Sequence, residues 1–282
     1  MHPLLGMTLF WAITQPLRAD LLVYEPFDYS PGGAIAGQNG GTGFGGNAWD
    51  VHAGLQPNQD TIAAGSLVNG AQVTQGNKLS LQTLEAGSTA LRTFDTIEGV
   101  ANTQTWASFL FSLNNPLPPT LSGNDLAVLS LNQSATRVVQ VGVFTNPEGD
   151  LVFGIRTIYG ASGGFTYSNV LFEAERTYSV VISIDWAAGS DLETVRLYLN
   201  PVSEPAESSA VASAQLQLSR PSGSNQELTS LEIAGSNPDW EWFFDEIRIG
   251  THFADVIPEP SVSALLLLAA AGIGWRRSRQ SR

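Results

Sequence analysis

The most regular alternation of hydrophobic and polar residues lies in residues 178–185. Every second residue there is apolar, namely Tyr178, Val180, Ile182 and Ile184. A period of two is typical of a β-strand with one buried face. Residues 195–199 repeat the alternation, and the link at residues 186–191 contains Gly, Ser and Asp, which favour turns. We therefore predict that the two segments form an antiparallel hairpin.

Short apolar segments recur along the chain between stretches rich in Gly, Asn, Pro and Asp, and no long helical periodicity interrupts them. The other predicted strands are residues 78–84, 90–94, 105–113, 126–131, 138–144, 151–157 and 242–249. Two packed sheets are the simplest way to bury the apolar faces of so many strands. We predict an all-β fold, a two-sheet antiparallel β-sandwich of the jelly-roll type. Residues 116–119 are predicted to be a loop and residues 201–214 a surface excursion.

Both ends of the chain differ from this pattern. Residues 4–13 are apolar and are followed by a small residue, Ala19, so residues 1–19 are predicted to be a signal peptide recognised by the Sec export machinery. The last 25 residues begin with Pro258, Glu259 and Pro260, continue with an apolar run at residues 262–275, and end in a basic tail. Residues 20–257 would then form one β-sandwich domain between the two signals.

The basic tail contains Arg276, Arg277 and Arg279, which are predicted to act as a membrane stop. Arginine collects on the cytoplasmic side of membrane segments, so the domain before Pro258 would lie outside the cell. The apolar run has 14 residues, fewer than the roughly 20 that span a bilayer comfortably. We therefore expect a transient anchor.

Together, the three features of the C-terminal segment resemble the PEP-CTERM sorting signal of bacterial envelope and exopolysaccharide-associated proteins. The resemblance covers residues 257–282 and implies that an exosortase, a membrane-embedded processing enzyme, is a partner. It also implies an exported protein that reaches the cell surface or extracellular matrix after transient anchoring. The alternatives are a plain C-terminal anchor and a packed terminal helix.

Composition excludes several functions. The formal net charge is −13, which disfavours binding to the phosphate backbone of nucleic acids. The chain has no cysteine, so it has neither disulfides nor thiolate metal ligands nor a cysteine nucleophile. His2, His52 and His252 are the only histidines, too few for a histidine-based zinc cluster. Calcium, which binds oxygen ligands, remains a hypothesis at Asn124 and Asp125 or in residues 185–191.

Short sequence motifs at residues 24–29, 184–186, 197–201 and 244–250 resemble those of concanavalin A-like and laminin-G-like jelly rolls. The resemblance implies a fold more than a function, because this architecture carries lectins, hydrolases and inert spacers. Residues 41–46 match G-x-G-x-x-G, but no helix follows them, so we interpret them as a glycine-rich turn.

Three acidic residues near the last predicted strand, Glu241, Asp245 and Glu246, raise the alternative of a secreted glycoside hydrolase or lyase. Sugar hydrolysis uses two facing carboxylates. Jelly-roll glucanases typically carry Glu-x-Asp-x-x-Glu, and the spacing here differs. Strand alternation predicts that Asp245 and Glu246 lie on opposite faces, with Asp245 beside Phe243 and Ile247 as a structural carboxylate bound to a neighbouring loop.

Aromatic side chains suggest a different kind of site. Trp240 and Trp242 share one predicted strand face, where flat rings could support a sugar, so they are the candidate ligand-binding residues. The sequence predicts a non-catalytic exported protein with a glycan-binding hypothesis, an exopolysaccharide as the candidate ligand, and no required cofactor. An inert matrix spacer is the second alternative.

Overall fold

The structure, a computed structural model, describes residues 20–51, 60–70, 72, 74–82, 88–114, 125–134, 136–157, 164–188, 192–216, 226–235 and 240–257. Its strands are β1 (Leu21–Glu25), β2 (Asp50–Val51), β3 (Thr61–Ala63), β4 (Lys78–Gln82), β5 (Ser88–Gly99), β6 (Gln104–Leu113), β7 (Asp125–Gln133), β8 (Thr136–Thr145), β9 (Leu151–Thr157), β10 (Phe165–Leu171), β11 (Tyr178–Asp185), β12 (Glu193–Leu199), β13 (Ala212–Leu216), β14 (Gln226–Gly235) and β15 (Glu241–Gly250). A 3₁₀ turn spans Glu207–Ser209, and one short helix, α1, spans Phe253–Val256.

These strands form two antiparallel sheets. The eight-stranded sheet has the order β13-β12-β11-β6-β15-β4-β3, with β1 also paired to β15. The seven-stranded sheet has the order β10-β9-β8-β7-β14-β5-β2. The structure confirms the predicted fold class, an all-β two-sheet sandwich of the jelly-roll type.

The main core lies between the two sheets and is built from the alternate residues that the sequence pattern marks as apolar. Phe111 on β6 meets Phe153 on β9, with ring centroids 6.5 Å apart. The predicted hairpin is confirmed by the pairing of β11 with β12, in which Ile182 lies opposite Leu197. Burial of one face of every central strand supplies most of the driving force for folding.

One predicted segment needs correction, and one central strand was not predicted. Residues 201–214 are not entirely a surface excursion, because Ala212 begins β13, which pairs with β12. The unpredicted strand is β14, which lies in the middle of the seven-stranded sheet between β7 and β5. The proline-rich segment 116–119 lies outside the described residues.

The face of the eight-stranded sheet that points away from the core, here called the outer face, carries two smaller apolar clusters. Helix α1 packs Phe253 and Val256 against Trp106. Residues 64–70 and 74–77, here called the covering loop, place Leu67 against Phe243. Both clusters remove apolar surface of the outer face from water.

The glycine-rich turn at residues 41–46 packs against β1. Thr42 forms a backbone bridge with Tyr24. Gly43 has φ +83°, and a Cβ there would lie 1.9 Å from the carbonyl oxygen of Leu22. Glycine is needed here because the two backbones approach closely, so the turn serves packing.

Glu25, in the motif at residues 24–29, is the centre of a buried polar network. Glu25 is fully buried and ion-paired with Arg92. Its carboxylate also accepts hydrogen bonds from Trp49 Nε1 (2.9 Å), the Tyr29 hydroxyl (2.8 Å) and the Phe27 amide (2.9 Å). Several partners are what a buried charge requires, so this network fixes the start of the domain to the seven-stranded sheet.

Candidate functional site

Strand β15 contains a β-bulge at the predicted acidic group. Asp245 lies opposite Leu110 on β6, but Arg248 lies opposite Ser108, so one extra residue interrupts the register. Glu246 has φ +51°, in the left-handed region that most residues avoid. Ile247 consequently joins the main core, and the predicted grouping of Asp245 with Ile247 on one face is wrong.

The bulge directs both adjacent carboxylates toward the covering loop, so the predicted placement on opposite faces is also wrong. Asp245 Oδ2 accepts a hydrogen bond from the Leu67 amide at 2.8 Å. Glu246 Oε1 accepts one from the Gln75 amide at 2.7 Å, and its Oε2 accepts from Arg248 Nη2 at 2.6 Å. Both carboxylates are fully buried. They act as a clamp for the loop, as the sequence predicted for Asp245 alone.

Burial changes the ionisation of this clamp. It raises the pKa of Asp245 to about 8, because desolvation disfavours the charged carboxylate. The Leu67 amide opposes the rise in pKa by donating to the carboxylate, whereas the nearby charge of Glu246 adds to it. Burial likewise raises the pKa of Tyr24, whose hydroxyl donates to Glu246, to about 12.

Glu241, the third predicted carboxylate, lies at the start of β15. Its Oε1 accepts from Ser80 Oγ at 2.8 Å, and its Oε2 accepts from Asn114 Nδ2 at 2.7 Å. It therefore joins β4 and the end of β6 to β15. With Asp245 and Glu246 closed off from solvent, the three acids do not form the accessible facing pair that glycoside hydrolysis uses.

Trp240 and Trp242 do lie on one face, but that face points into the main core. They are 2% and 0% exposed, and their rings meet edge to face with centroids 5.2 Å apart. Trp242 also stacks on Phe111. The prediction that these two rings form a glycan platform is therefore wrong, because neither ring is accessible.

Metal binding finds no support in the part of the chain that the structure describes, where no group of three or more His, Asp or Glu side chains could hold an ion. Asp185 is occupied by Arg196 and by Gln104. Asn124, the side chain of Asp125 and residues 189–191 lie outside the described residues. Calcium binding at these positions stays a prediction.

A cleft of about 1140 Å³ lies at one end of the sandwich. The start of β1, the start of β6 and the end of β11 line it, together with residues 95–98 of β5. Its lining includes Asp185 and Trp186, two residues of the motif at residues 184–186. It is our candidate functional site.

The turn between β5 and β6 is held rigidly against this cleft. The Asn102 amide donates to the Trp186 carbonyl at 2.8 Å, and the Trp186 amide donates to the Thr103 carbonyl at 3.0 Å. The Trp186 indole donates to Thr105 Oγ1 at 2.8 Å. Its ring packs on Gly99, where a Cβ would lie 2.4 Å from Trp186 Cε3. Such a site needs little ordering when a ligand binds.

The lining combines three kinds of side chain. Carboxylates and neighbouring amides or hydroxyls supply hydrogen-bonding groups, and Leu21 and Val100 supply apolar surface. Val100 is 56% exposed. Among the described residues, the lining consists of Leu21, Leu22, Asp95, Thr96, Ile97, Glu98, Val100, Asn102, Thr103, Gln104, Thr105, Asp185, Trp186, Glu207, Thr251 and His252.

One arginine organises the acids on one side of the cleft. Arg196 on β12 forms ion pairs with Asp185 and, at 2.9 Å, with Glu207 of the 3₁₀ turn. Gln104 Nε2 donates to Asp185 Oδ1 at 2.7 Å. These bonds fix the direction of the Asp185 carboxylate, as a recognition site requires.

Sequence reasoning missed most of these residues. Within residues 95–98 only Ile97 is buried, so a strand pattern there could have predicted that Asp95 and Glu98 are exposed. Nothing local in the sequence indicates that this half of β5 faces the end of β11. That proximity arises because β5 and β6, although consecutive, belong to different sheets.

No family model matches the chain, and no curated protein matches it significantly. Among solved structures, the globular domain of T. cruzi calreticulin is similar, with 13% identity, a TM-score of 0.49, and coverage of 84% of this chain and 90% of that chain. The exoplasmic/lumenal domain of VIP36, in a Ca²⁺/Man₃GlcNAc-bound form, has 8% identity, a TM-score of 0.40, and coverage of 73% and 83%.

The CBM2 module of the evolved Dit of Lactobacillus casei BL23 phage J-1 is a third similar structure. It has 11% identity and a TM-score of 0.43, with coverage of 83% of this chain and 96% of that chain. At these identities and TM-scores we infer no function from any of the three.

The predicted sorting motif (Pro258, Glu259 and Pro260) and the arginines of the predicted stop lie outside the described residues, as does the predicted signal peptide. Within residues 20–257, apart from the gaps given above, no helix is long and apolar enough to cross a membrane. The described chain ends at Ile257, whose amide donates to the Phe253 carbonyl at 3.0 Å. Ser108 Oγ donates to the Val256 carbonyl at 2.7 Å, so the last described turn is fastened to β6.

Proposed function

We propose that this chain is an exported envelope or extracellular-matrix protein, non-catalytic, whose β-sandwich binds a glycan in the end cleft. In this proposal a PEP-CTERM-type segment delivers the protein, with the Sec machinery and an exosortase as its partners. The sequence features at residues 1–19 and 258–282 support the delivery. The single observation that supports glycan binding most strongly is the cleft, with its fixed polar groups beside exposed aliphatic surface.

The lining suits a sugar for a chemical reason. Sugar hydroxyls both donate and accept hydrogen bonds, and the faces of sugar rings are apolar. Asn102 offers both a donor and an acceptor, and it lies near Asp185, whose carboxylate is held by Arg196 and Gln104. Val100 and Leu21 offer surface against which a ring can pack.

The non-catalytic half of the proposal is supported by the positions of the predicted acids. Asp245 and Glu246 are buried and committed to the covering loop, and Glu241 is bonded to two other strands. Each acid has a structural task that hydrolysis would not require. None of these three acids, which raised the hydrolase or lyase alternative, lines the end cleft.

The packing of α1 against the outer face supports the proposed delivery by the C-terminal segment. Phe253 and Val256 are buried on the outer face, so the residues just before the proposed sorting segment are held to the β-sandwich. A processing enzyme could then remove that segment without disturbing a core strand.

A carbohydrate array probed with the full-length chain tests glycan binding. We expect saturable binding to at least one glycan. Thr96→Trp should abolish it by filling the cleft, whereas Thr93→Trp, on the same strand but outside the cleft lining, should not. The spacer alternative predicts no saturable binding. Cleavage products after incubation with the same glycans would overturn the proposal that the protein is non-catalytic.

A further inference from the structure

The sequence contains two Asn-Gly pairs, at residues 39–40 and 69–70. This pair is chemically reactive, because glycine has no side chain and its backbone nitrogen can approach the amide carbon of the asparagine. Attack by that nitrogen releases the side-chain amide, a reaction called deamidation. A fold permits or prevents the reaction by the way it holds the asparagine side chain.

The Asn39–Gly40 pair, just before the glycine-rich turn, is free to react. Asn39 is exposed, and its side chain makes no hydrogen bond in the part of the chain that the structure describes. Within that part the Gly40 amide has no acceptor either, so the attacking nitrogen is unoccupied. The Gly40 carbonyl, by contrast, accepts a hydrogen bond from Arg92 Nη2 at 2.7 Å. The reactive pair is therefore joined directly to the buried network of Arg92 and Glu25.

The Asn69–Gly70 pair has the same two residues in a different setting. Asn69 Nδ2 donates to Asn200 Oδ1 at 2.6 Å and to the Thr177 carbonyl at 3.3 Å. These bonds must break before the amide carbon of Asn69 can turn toward the Gly70 nitrogen, and breaking them slows the reaction. The structure therefore separates one free Asn-Gly pair from one that is held.

We propose that Asn39 is a site of spontaneous deamidation and that its isoaspartate product disturbs the buried network at Arg92. The Gly40 nitrogen loses its proton and bonds to Asn39 Cγ, while the bond from Cγ to Nδ2 breaks. Nδ2 takes up a proton and leaves as ammonia, and a cyclic succinimide remains. Water then opens the ring at either carbonyl and gives aspartate or isoaspartate. In isoaspartate the main chain runs through the former side chain and is longer by one methylene group.

The longer main chain displaces Gly40, which has little room to move. A Cβ on Gly40 would lie 2.8 Å from Cε1 of the Tyr29 ring. Displacement of the Gly40 carbonyl removes an acceptor from the buried Arg92 guanidinium, and a buried donor without an acceptor is destabilising. Isoaspartate at position 39 weakens the network in this way, whereas aspartate keeps the original main chain at an exposed position.

Peptide mapping of the full-length chain during storage in mildly alkaline buffer tests the site, and the two pairs serve as controls for each other. In the folded protein we expect Asn39 to deamidate at least about tenfold faster than Asn69, because only Asn69 must break hydrogen bonds. In urea, where both pairs are unfolded, the two rates should become similar. Equal rates in the folded protein would overturn the proposal. So would an unmodified Asn39, or a difference in rate that persists in urea.

Two further measurements test protection and consequence separately. Asn200→Ala removes one acceptor of Asn69 and should speed deamidation at Asn69 but not at Asn39. An unchanged rate at Asn69 would overturn the protective role of these bonds. The isoaspartate form, separated by chromatography, should unfold at a lower urea concentration than Asn39→Asp, which should match the unmodified chain. Equal unfolding midpoints of the isoaspartate and aspartate forms would overturn the coupling to Arg92.

Discussion

Single residues decide how β15 is used. Glu246 in the left-handed region adds one residue to the strand, and the residues after it change faces. Alternation predicted opposite faces for Asp245 and Glu246 because a bulge leaves no mark in a hydrophobic pattern. The structural role of Asp245 was predictable, since a lone acid beside apolar strand residues needs a partner. Its sharing of one loop with Glu246 was not.

The raised pKa of Asp245 predicts a pH-dependent stability. The folded protein keeps the proton up to about pH 8, whereas the unfolded chain releases it near pH 4. The folded state therefore binds more protons in that window, and the free energy of unfolding falls as pH rises through it, by up to about 1.4 kcal/mol per pH unit. Urea unfolding between pH 4 and 8 measures the slope.

Asp245→Asn cannot ionise, so this variant should have a flatter pH profile. Glu173→Gln, at a side chain that is 65% exposed, is the control and should keep the original slope. An identical slope in the Asp245 variant and the unmodified protein would contradict this account.

The buried ion pair between Glu25 and Arg92 supplies a second residue-scale prediction. Arg92→Met would leave the Glu25 carboxylate buried without its cation and should lower the free energy of unfolding by about 3–5 kcal/mol. Arg176→Met removes an exposed partner of Glu173 and should cost less than about 1 kcal/mol. Urea unfolding at pH 7 checks both, and similar losses would show that burial does not govern the pair.

At the scale of elements, strands with regular alternation were predictable and irregular ones were not. β11 and β9 have the predicted ends, residues 178–185 and 151–157. β14 escaped prediction because polar residues such as Glu232 interrupt it, and this acid is instead satisfied by Arg137 on β8. Trp240 and Trp242 lie on one strand face as predicted, but the sequence could not show which sheet would cover that face.

Helix α1 has four residues, too few for stability of its own, so packing must hold it. Phe253 meets the Trp106 ring edge to face, with centroids 5.5 Å apart. Phe253→Ala should lower the free energy of unfolding by about 3 kcal/mol through the lost contact and the cavity. Val202→Ala, at a residue 93% exposed, should change it by less than about 0.5 kcal/mol. Equal, small effects in thermal unfolding would contradict this role for α1.

For the whole molecule, hydrophobic pattern sufficed to predict the two-sheet architecture, because both sheets bury one face of nearly every strand. The cleft could not be predicted, because it joins parts of β1, β5, β6 and β11 that are distant in sequence. The sorting segment, by contrast, is a prediction from sequence alone and lies outside the described residues.

The most direct test of the central claim, delivery of an exported protein by its C-terminal segment, is the mature form of the full-length chain in its native host. Intact mass and peptide mapping would define both ends. We predict a chain that begins near Asp20 and lacks everything beyond the region of Pro258 to Pro260. An exported chain that still ends at Arg282 would contradict processing, and the C-terminal segment would then be a plain membrane anchor.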